Sequence, residues 1–248
     1  MQFDEKWAFV AKKQRNCRPD DARCGDCRDH VALDPGTRLV VSLVVGKRTA
    51  EATRALVRDF RRRTGGRVVR LVTSDEYPAY AEAVREAYGV RVVPPRTGRP
   101  GRPRKAYTGA DPRVVYATVH KERENNRVVR VSTREVFGTR DAVARALASS
   151  AVSRSVSTCL VERHNGTDRN RCSRKARKTY AFSKDRDAHR SASAFSYFSY
   201  NFCWSVRTLR RRGAGGRWQK RTPAMAAGLA DRVWSLNDWL TYPAVQRK

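Results

Sequence analysis

The order in which strand-like and helix-like segments follow one another constrains the fold of this chain more than any other feature. Residues 2–11 alternate apolar and polar side chains, a pattern that predicts a half-buried strand. After a polar stretch at 16–29, which we interpret as a loop, the apolar runs 30–33 and 38–45 flank an Asp-Pro-Gly-Thr turn. The chain is therefore expected to begin with three strands that can pair antiparallel.

Helices and strands alternate over the next part of the chain. Residues 49–63 predict a helix, with a threonine at the N-cap position and apolar residues at helical spacing. The apolar run 67–73 predicts a buried strand, 78–88 a helix that begins with a proline, and 90–93 a further strand. Three strands followed by helix, strand, helix and strand is the order of the ribonuclease H-like fold. We expect an α/β protein with a central mixed sheet flanked by helices.

A basic segment interrupts this alternation after the last of these strands. Residues 94–110 are rich in proline and arginine and contain no acid. The runs 114–120 and 127–131 then predict a second hairpin. We interpret about 94–135 as an insertion, made of a basic loop and this hairpin, in the main domain.

The last third of the chain is mainly helical by pattern. A helix is predicted over 141–150, and helical spacing continues from Thr158 to a final helix over 225–240. We expect one domain over 1–204, and a basic linker with a C-terminal helix over 205–248.

The charge of the chain indicates its class of partner. Fifty-three Lys and Arg residues against 24 Asp and Glu give a formal net charge of +29, which favours polyanions. Because each phosphate contact by Lys or Arg releases counterions, nucleic acid is the expected partner. The alternative explanation is that the chain is basic only because it comes from a GC-rich genome, whose proteins are rich in arginine.

Nothing in the sequence predicts a membrane segment or an exported chain. No apolar run approaches the ~18 residues that a membrane span requires, and residues 1–5 do not have the pattern of a signal peptide. We expect a bacterial cytoplasmic, nucleoid-associated protein. Its six cysteines would then be thiols or metal ligands rather than disulfides.

Three acidic residues stand where a sheet of this order would bring them together. Asp4 lies within the first predicted strand, Asp75 just past the strand 67–73, and Glu162 near the start of the long helical stretch. Clustered carboxylates repel one another unless a cation neutralises them, and hard oxygen ligands suit Mg²⁺ or Mn²⁺. Two such ions, about 3.5–4 Å apart, can activate water or a 3′-hydroxyl toward a phosphodiester. From spacing alone, three unrelated surface acids are the alternative.

Four short strings resemble, in order, the catalytic part of the insertion sequence one family of DDE transposases. They are Asp-Glu-Lys-Trp-Ala-Phe-Val at 4–10, Thr-Ser-Asp-Glu-Tyr-Pro-Ala-Tyr at 73–80, Val-Glu-Arg-His-Asn at 161–165, and Phe-Ser-Lys at 182–184 followed by His189. No single string is specific; the four in order are.

This resemblance implies a DDE recombinase fold and DNA cleavage followed by strand transfer. It assigns Asp4, Asp75 and Glu162 as catalytic residues that bind two divalent ions, and it implies a homo-oligomer on paired transposon ends. The family usually carries an N-terminal zinc-binding and helix-turn-helix part, whereas only three residues precede Asp4. We therefore expect either an upstream partner or a missing N-terminal part.

Basic segments are expected to contact DNA. Residues 95–105 carry Gly-Arg-Pro repeats that resemble an AT-hook, and an extended Arg-Pro segment can lie in a narrow minor groove. Residues 163–190 hold ten basic and three acidic residues, so they would position phosphates. Solvated loops and helix faces are the alternatives, and 207–221 could bind the backbone or serve as a link. The predicted DNA contacts are Arg99, Arg102, Arg104, Lys105, Arg163, Arg169, Arg174, Lys175, Arg177 and Lys178.

One cysteine-rich segment has a spacing that could hold zinc. We favour unpaired thiols in a loop, because His30 opens a predicted strand and the first gap is loose. Glu5, beside Asp4 in a strand, would point to the opposite face. The four residues of the zinc hypothesis are Cys17, Cys24, Cys27 and His30.

Other functions remain open at this point. A decayed transposase could keep the fold and bind DNA without chemistry, and a stand-alone ribonuclease H-like nuclease would cut without joining. A basic ribosomal-type RNA binder is a further alternative, which the acids embedded in apolar strands argue against.

Overall fold

Three antiparallel strands open the structure, a computed structural model that describes residues 1–95, 104–125 and 127–243. They are β1 (Gln2–Val10), β2 (Gly25–Leu33) and β3 (Val40–Gly46), with β2 between the other two. The three predicted strands are confirmed, but β2 begins inside the expected loop. It does so because β1 pairs along its whole length, from Gln2 opposite Leu33 to Val10 opposite Gly25.

Two helices and a short strand follow as predicted. Helix α1 (Ala50–Arg63) begins after Thr49, whose side chain accepts a hydrogen bond from the Ala52 amide. Strand β4 (Val72–Asp75) lies further along the chain than the predicted 67–73. Apolar side chains before β4 pack on the core without joining the ladder, which explains the difference. Helix α2 (Pro78–Tyr88) has the predicted bounds.

The next strands correct the expected topology. Within the described ranges, strand β5 (Gly89–Val92) pairs with β6 (Tyr107–Ala110) alone, in a separate two-stranded sheet. The long hairpin β7 (Tyr116–Glu124) and β8 (Arg127–Phe137), which we had placed in an insertion, completes the central sheet instead. Its order is β3-β2-β1-β4-β7-β8, with β4 parallel to β1 and β7.

Burial explains why β7 and not β5 lies beside β4. The first four residues of β7 are all buried, as expected of a strand covered on both faces, whereas β5 has no fully buried residue. The expectation that 90–93 joins the central sheet is therefore wrong.

Helices cover both faces of the sheet. Helices α1 and α2 pack on one face, and α4 (Cys159–Arg171) with α5 (Arg186–Cys203) pack on the other, while α3 (Arg140–Ala148) follows β8. The expected α/β architecture, a central mixed sheet flanked by helices, is confirmed. The two cores contain large buried side chains, among them Phe3, Phe60, Tyr80, Tyr88 and Tyr116 on the α1–α2 side, and Leu33, Tyr197 and Tyr200 on the other.

The C-terminal part contains short elements instead of the long helix predicted over 225–240. These are the two-residue strands β9 (Arg211–Arg212) and β10 (Trp218–Gln219), then α6 (Pro223–Ala226) and α7 (Leu236–Thr241). Gly228 adopts a φ of +73°, which ends α6, and a Ser235–Asp238 capping box starts α7 anew. Within the described ranges, no helix is long and apolar enough to cross a bilayer.

Candidate metal centre

The structure brings two of the predicted acids together at the boundary between β1 and β4. Gln2 is paired in parallel with Thr73, so the positions two residues further on, Asp4 and Asp75, lie level on neighbouring strands. Carboxylate oxygens of Asp4, Asp75 and Glu5 all lie within 4.8 Å of one another. Three acids thus converge, as expected, but the third is Glu5 and not the predicted Glu162.

Glu5 is the member of this cluster that the sequence analysis missed. Its carboxylate accepts hydrogen bonds from the hydroxyl of Tyr80 at 2.9 Å and from Nε of Arg48 at 2.5 Å, on the α1–α2 face. Asp4 instead contacts α4, so the two side chains do leave β1 on opposite faces. Among the described residues, β1 and β4 are paired only at Gln2 and Thr73. Beyond that pair no backbone pairing between the two strands lies between Glu5 and Asp75, so the Glu5 carboxylate reaches the cluster there.

Glu162 lies in the first turn of α4, near the cluster but outside it. One of its oxygens accepts hydrogen bonds from Thr158 Oγ1 at 2.6 Å and from Lys121 Nζ at 2.5 Å. Burial works to raise the pKa of Glu162, but these two hydrogen bonds, together with the positive charges of Lys121 and Arg123, hold the pKa below its usual range. The negative charge of Glu162 is nevertheless close enough to act on Asp4.

Mutual repulsion and burial perturb the two central acids. Burial, followed by the charges of Glu5 and Asp75 and then of Glu162, raises the pKa of Asp4 to about 7. Burial and Glu5 also raise the pKa of Asp75, against the opposing effect of the cations Arg48 and Lys121. Burial and repulsion destabilise the charged carboxylates of this site, so the site favours binding of a cation that neutralises them.

Asn165, one turn after Glu162 on α4, is a second residue without a predicted role. Its Nδ2 donates a hydrogen bond to Asp4 Oδ2 at 2.6 Å, and the side chain is buried. The other amide atom, Oδ1, is buried and has no hydrogen-bond partner among the described residues. The three-residue spacing from Glu162 to Asn165 was the available signal, since it places both on one helix face.

Two cations flank the cluster. Arg48 stacks on the ring of Tyr77, 4.3 Å from its centroid, and its Nη2 lies 3.6 Å from Asp75 Oδ2, while its Nε binds Glu5. Lys121 forms an ion pair with Glu162. They offset part of the negative charge that would otherwise destabilise the folded protein.

Lys175 lies in a buried ion network rather than on a DNA-binding surface, which corrects its predicted role. Its Nζ lies 3.0 Å from carboxylate oxygens of both Asp29 and Asp168, and Lys6 pairs with the same two acids. All four side chains are at most 2% exposed, so Lys175 cannot reach a phosphate. Burial alone would raise the pKa of Asp29, but Lys175, His189 and Lys6 hold it well below its usual range.

The remaining predicted DNA contacts are accessible where the structure describes them. Arg169 is half-buried, while the others are exposed, and DNA binding by them stays a prediction. Arg99 and Arg102 lie outside the described residues, as does most of the Gly-Arg-Pro segment. The exposed residues are Arg104, Lys105, Arg163, Arg174, Arg177 and Lys178.

The residues of the zinc hypothesis are not arranged around one point. Cys27 and His30, three positions apart on β2, face opposite sides of the sheet. His30 Nε2 lies 3.1 Å from the carbonyl oxygen of Lys47, and Cys17 Sγ donates to the carbonyl oxygen of Lys13. The one group of metal-type ligands among the described residues is the carboxylate cluster of Asp4, Glu5 and Asp75.

Comparison with protein-family models, with curated proteins and with solved structures gives no match to this chain. The functional argument therefore depends on the geometry of the cluster and on the residues that surround it.

Proposed function

We propose that the protein is a DDE-type transposase that cuts DNA at the ends of an insertion sequence and joins the freed strand to target DNA. The observation that carries the proposal is the convergence of Asp4 and Asp75 on neighbouring strands. Glu162 on α4 lies near enough for its charge to raise the pKa of Asp4. Three of the four ordered strings that resemble the insertion sequence one family carry Asp4, Asp75 and Glu162. The fourth lies around the start of α5, where His189 Nε2 is 3.6 Å from Asp29 Oδ1.

The topology supports a ribonuclease H-like assignment. Three antiparallel strands in the order β3-β2-β1 are followed by β4 and β7, both parallel to β1, with helices on both faces. In this arrangement the first and fourth strands are neighbours, as the proposed chemistry requires of their acids.

The residues present fit a pair of divalent cations. The donors are all carboxylate oxygens, which suit Mg²⁺ or Mn²⁺, and the unpartnered Oδ1 of Asn165 is a further oxygen beside them. Asp4, Asp75 and Glu162 would hold the ions, with Glu5 next to them. Bound there, the ions would supply Lewis-acid activation of water or a 3′-hydroxyl and stabilisation of the leaving oxygen.

Neighbouring side chains would prepare the acids and the substrate. The hydrogen bond from Asn165 fixes the carboxylate of Asp4, and Lys121 and Thr158 fix that of Glu162. We expect Arg163, an exposed residue directly after Glu162, to hold a DNA phosphate. DNA in the bacterial nucleoid is the proposed partner. We expect a homo-oligomer to form on paired transposon ends, and a zinc-binding or helix-turn-helix part to serve end recognition.

A strand-transfer assay tests the proposal. Oligonucleotide duplexes bearing pre-cut ends of the encoding element are incubated with target plasmid and Mg²⁺ or Mn²⁺, using the wild type, Asp75→Asn and Glu162→Gln. We expect joined product that requires the metal and is lost in both variants. Nicked product without joining would favour the stand-alone nuclease, and DNA binding without any product would favour a remnant that has kept only the fold.

A further inference from the structure

The basic hairpin that follows α5 has no role in the chemistry proposed above. Strands β9 and β10 pair Arg212 with Trp218 and Arg211 with Gln219, and Gly215 and Gly216 form the tip with positive φ. A hydrogen bond from the Val206 amide to the carbonyl oxygen of Arg221 closes its base, so the segment forms a paired hairpin.

Two arginines are held against the exposed tryptophan of this hairpin. The guanidinium carbons of Arg210 and Arg212 lie 4.3 and 5.1 Å from the centroid of the Trp218 ring. Trp218 is 51% exposed, and it borders a cavity of about 400 Å³ with Arg207, Thr208 and Arg210. Cation–π contact with the ring restrains each guanidinium group. Arg212 Nη1 also donates a hydrogen bond to the carbonyl oxygen of Gly216 at 3.4 Å, and its other N–H groups remain available to a phosphate.

The charges of this surface are not neutralised by the protein. Residues 207–221 contain no acid, and within the described part of the chain none of their basic residues forms an ion pair with a carboxylate. This contrasts with Lys175, whose charge is fully matched. The basic residues are Arg207, Arg210, Arg211, Arg212, Arg217, Lys220 and Arg221.

We propose that the β9–β10 hairpin binds the phosphate backbone of duplex DNA through Arg210 and Arg212, with Trp218 holding their guanidiniums in place. A planar guanidinium donates two parallel hydrogen bonds to a phosphate, and prior stacking reduces the entropy lost on binding. That the polyanion is DNA rests on the proposed function, whereas the contact itself needs neither the metal nor the acids.

The salt dependence of binding tests this proposal. Fluorescence anisotropy of a labelled duplex is measured without divalent metal between about 50 and 200 mM NaCl, because log K falls with log salt by about 0.9 for each phosphate neutralised. We expect Arg210→Gln with Arg212→Gln to make the slope shallower by about 1.8, the loss of two phosphate contacts. Trp218→Ala keeps both charges, so we expect weaker binding with a smaller change of slope.

A matched control separates this contact from the effect of net charge. Arg140→Gln with Arg145→Gln removes two exposed arginines of α3 that form no ion pair with any residue the structure describes, and it should leave the slope unchanged. A wild-type slope in the hairpin variant, or an equal loss in both double variants, would overturn the proposal. If the hairpin variants change the salt dependence as expected but the wild type shows no strand transfer, the result would contradict the catalytic function and leave the hairpin contact supported.

Discussion

Asn165 on α4 donates its side-chain amide to Asp4 on β1, with 2.6 Å between Nδ2 and Oδ2. This bond joins the helix that carries Glu162 to the strand that carries the most perturbed acid of the cluster. The bond holds Oδ2 of Asp4 against α4, so the other carboxylate oxygen, Oδ1, does not face the helix. The two elements that must stay aligned for the proposed chemistry are therefore linked by a partly buried hydrogen bond.

Removing this bond should impair the site without unfolding the protein. We expect Asn165→Ala to lower strand-transfer activity or Mn²⁺ affinity by about 10–100-fold, the usual cost of losing a residue that orients a metal ligand. Joined product and Mn²⁺ titration are the measurements. Asn170→Ala, at an exposed position of the same helix, is the control and should leave both unchanged. Full activity in Asn165→Ala would show that Asp4 needs no such support.

The raised pKa of Asp4 predicts how stability depends on pH in the absence of divalent metal. Since the folded pKa is about 7 against 3.8 for the free group, the native state binds the extra proton between these values. Stability from this group is then present at low pH and is lost as the pH rises from about 4 to about 7. We expect urea unfolding to show wild type losing stability over this window, and Asp4→Asn losing less.

Divalent metal should reverse this trend at high pH. Addition of Mg²⁺ at pH 8 should stabilise the wild type, because ligand binding to the folded state alone raises its unfolding free energy. It should stabilise Asp4→Asn much less. Equal stabilisation of the two proteins would place the bound ion elsewhere.

Arg48 should compete with metal at the acidic cluster. It bridges Glu5 and Asp75, so Arg48→Ala removes a positive charge that a divalent ion would otherwise have to displace. We expect tighter Mn²⁺ binding and a lower melting temperature without metal. Arg58→Ala, which removes an exposed arginine paired with Glu86, is the matched control and should change neither. Weaker Mn²⁺ binding in Arg48→Ala would contradict the competition.

The buried network of Lys6, Asp29, Asp168 and Lys175 should dominate stability on the α4–α5 face. Lys6→Met leaves two buried acids facing a single cation, and a broken buried pair costs about 3–5 kcal/mol. Denaturant unfolding at neutral pH measures this loss. The double variant Lys6→Met with Asp168→Leu removes one charge of each sign, and we expect it to recover part of the stability. If the double variant recovers no stability, Asp168 stabilises the protein mainly by accepting the hydrogen bond from Ser196 and not by its ion pairs.

Local pattern predicted those features of the fold that depend on one segment at a time. The cap at Thr49, the buried stripe of α1 and the bounds of α2 follow from propensity and spacing, and they are confirmed. Strand pairing involves partners far apart, so β5 was placed in the central sheet where β7 lies. Composition could not separate them, because both are rich in valine or other β-formers, and only the four consecutive buried residues of β7 decide it.

The site was predictable to the same extent. Asp4 and Asp75 could be paired because strand order puts their strands side by side. Glu5 was missed because the alternation of a strand gives the face of a side chain but not where a neighbouring ladder ends. Lys175 was assigned to DNA because a basic run indicates a solvated surface on average. Its partner Asp29 lies 146 positions earlier, beyond the reach of any local pattern.

Sequence separation also bears on when the site forms during folding. Asn165 and Asp4 are 161 positions apart, and Lys6 and Asp168 are 162 apart. Contacts that close such long loops form late, because the chain entropy lost must be offset by structure already in place. Until then Asp4 stays hydrated and apart from Asp75 and Glu162, so a divalent ion has no preassembled cage to enter. Metal should therefore slow unfolding far more than it accelerates refolding, as a ligand does when it binds only after the transition state has been passed.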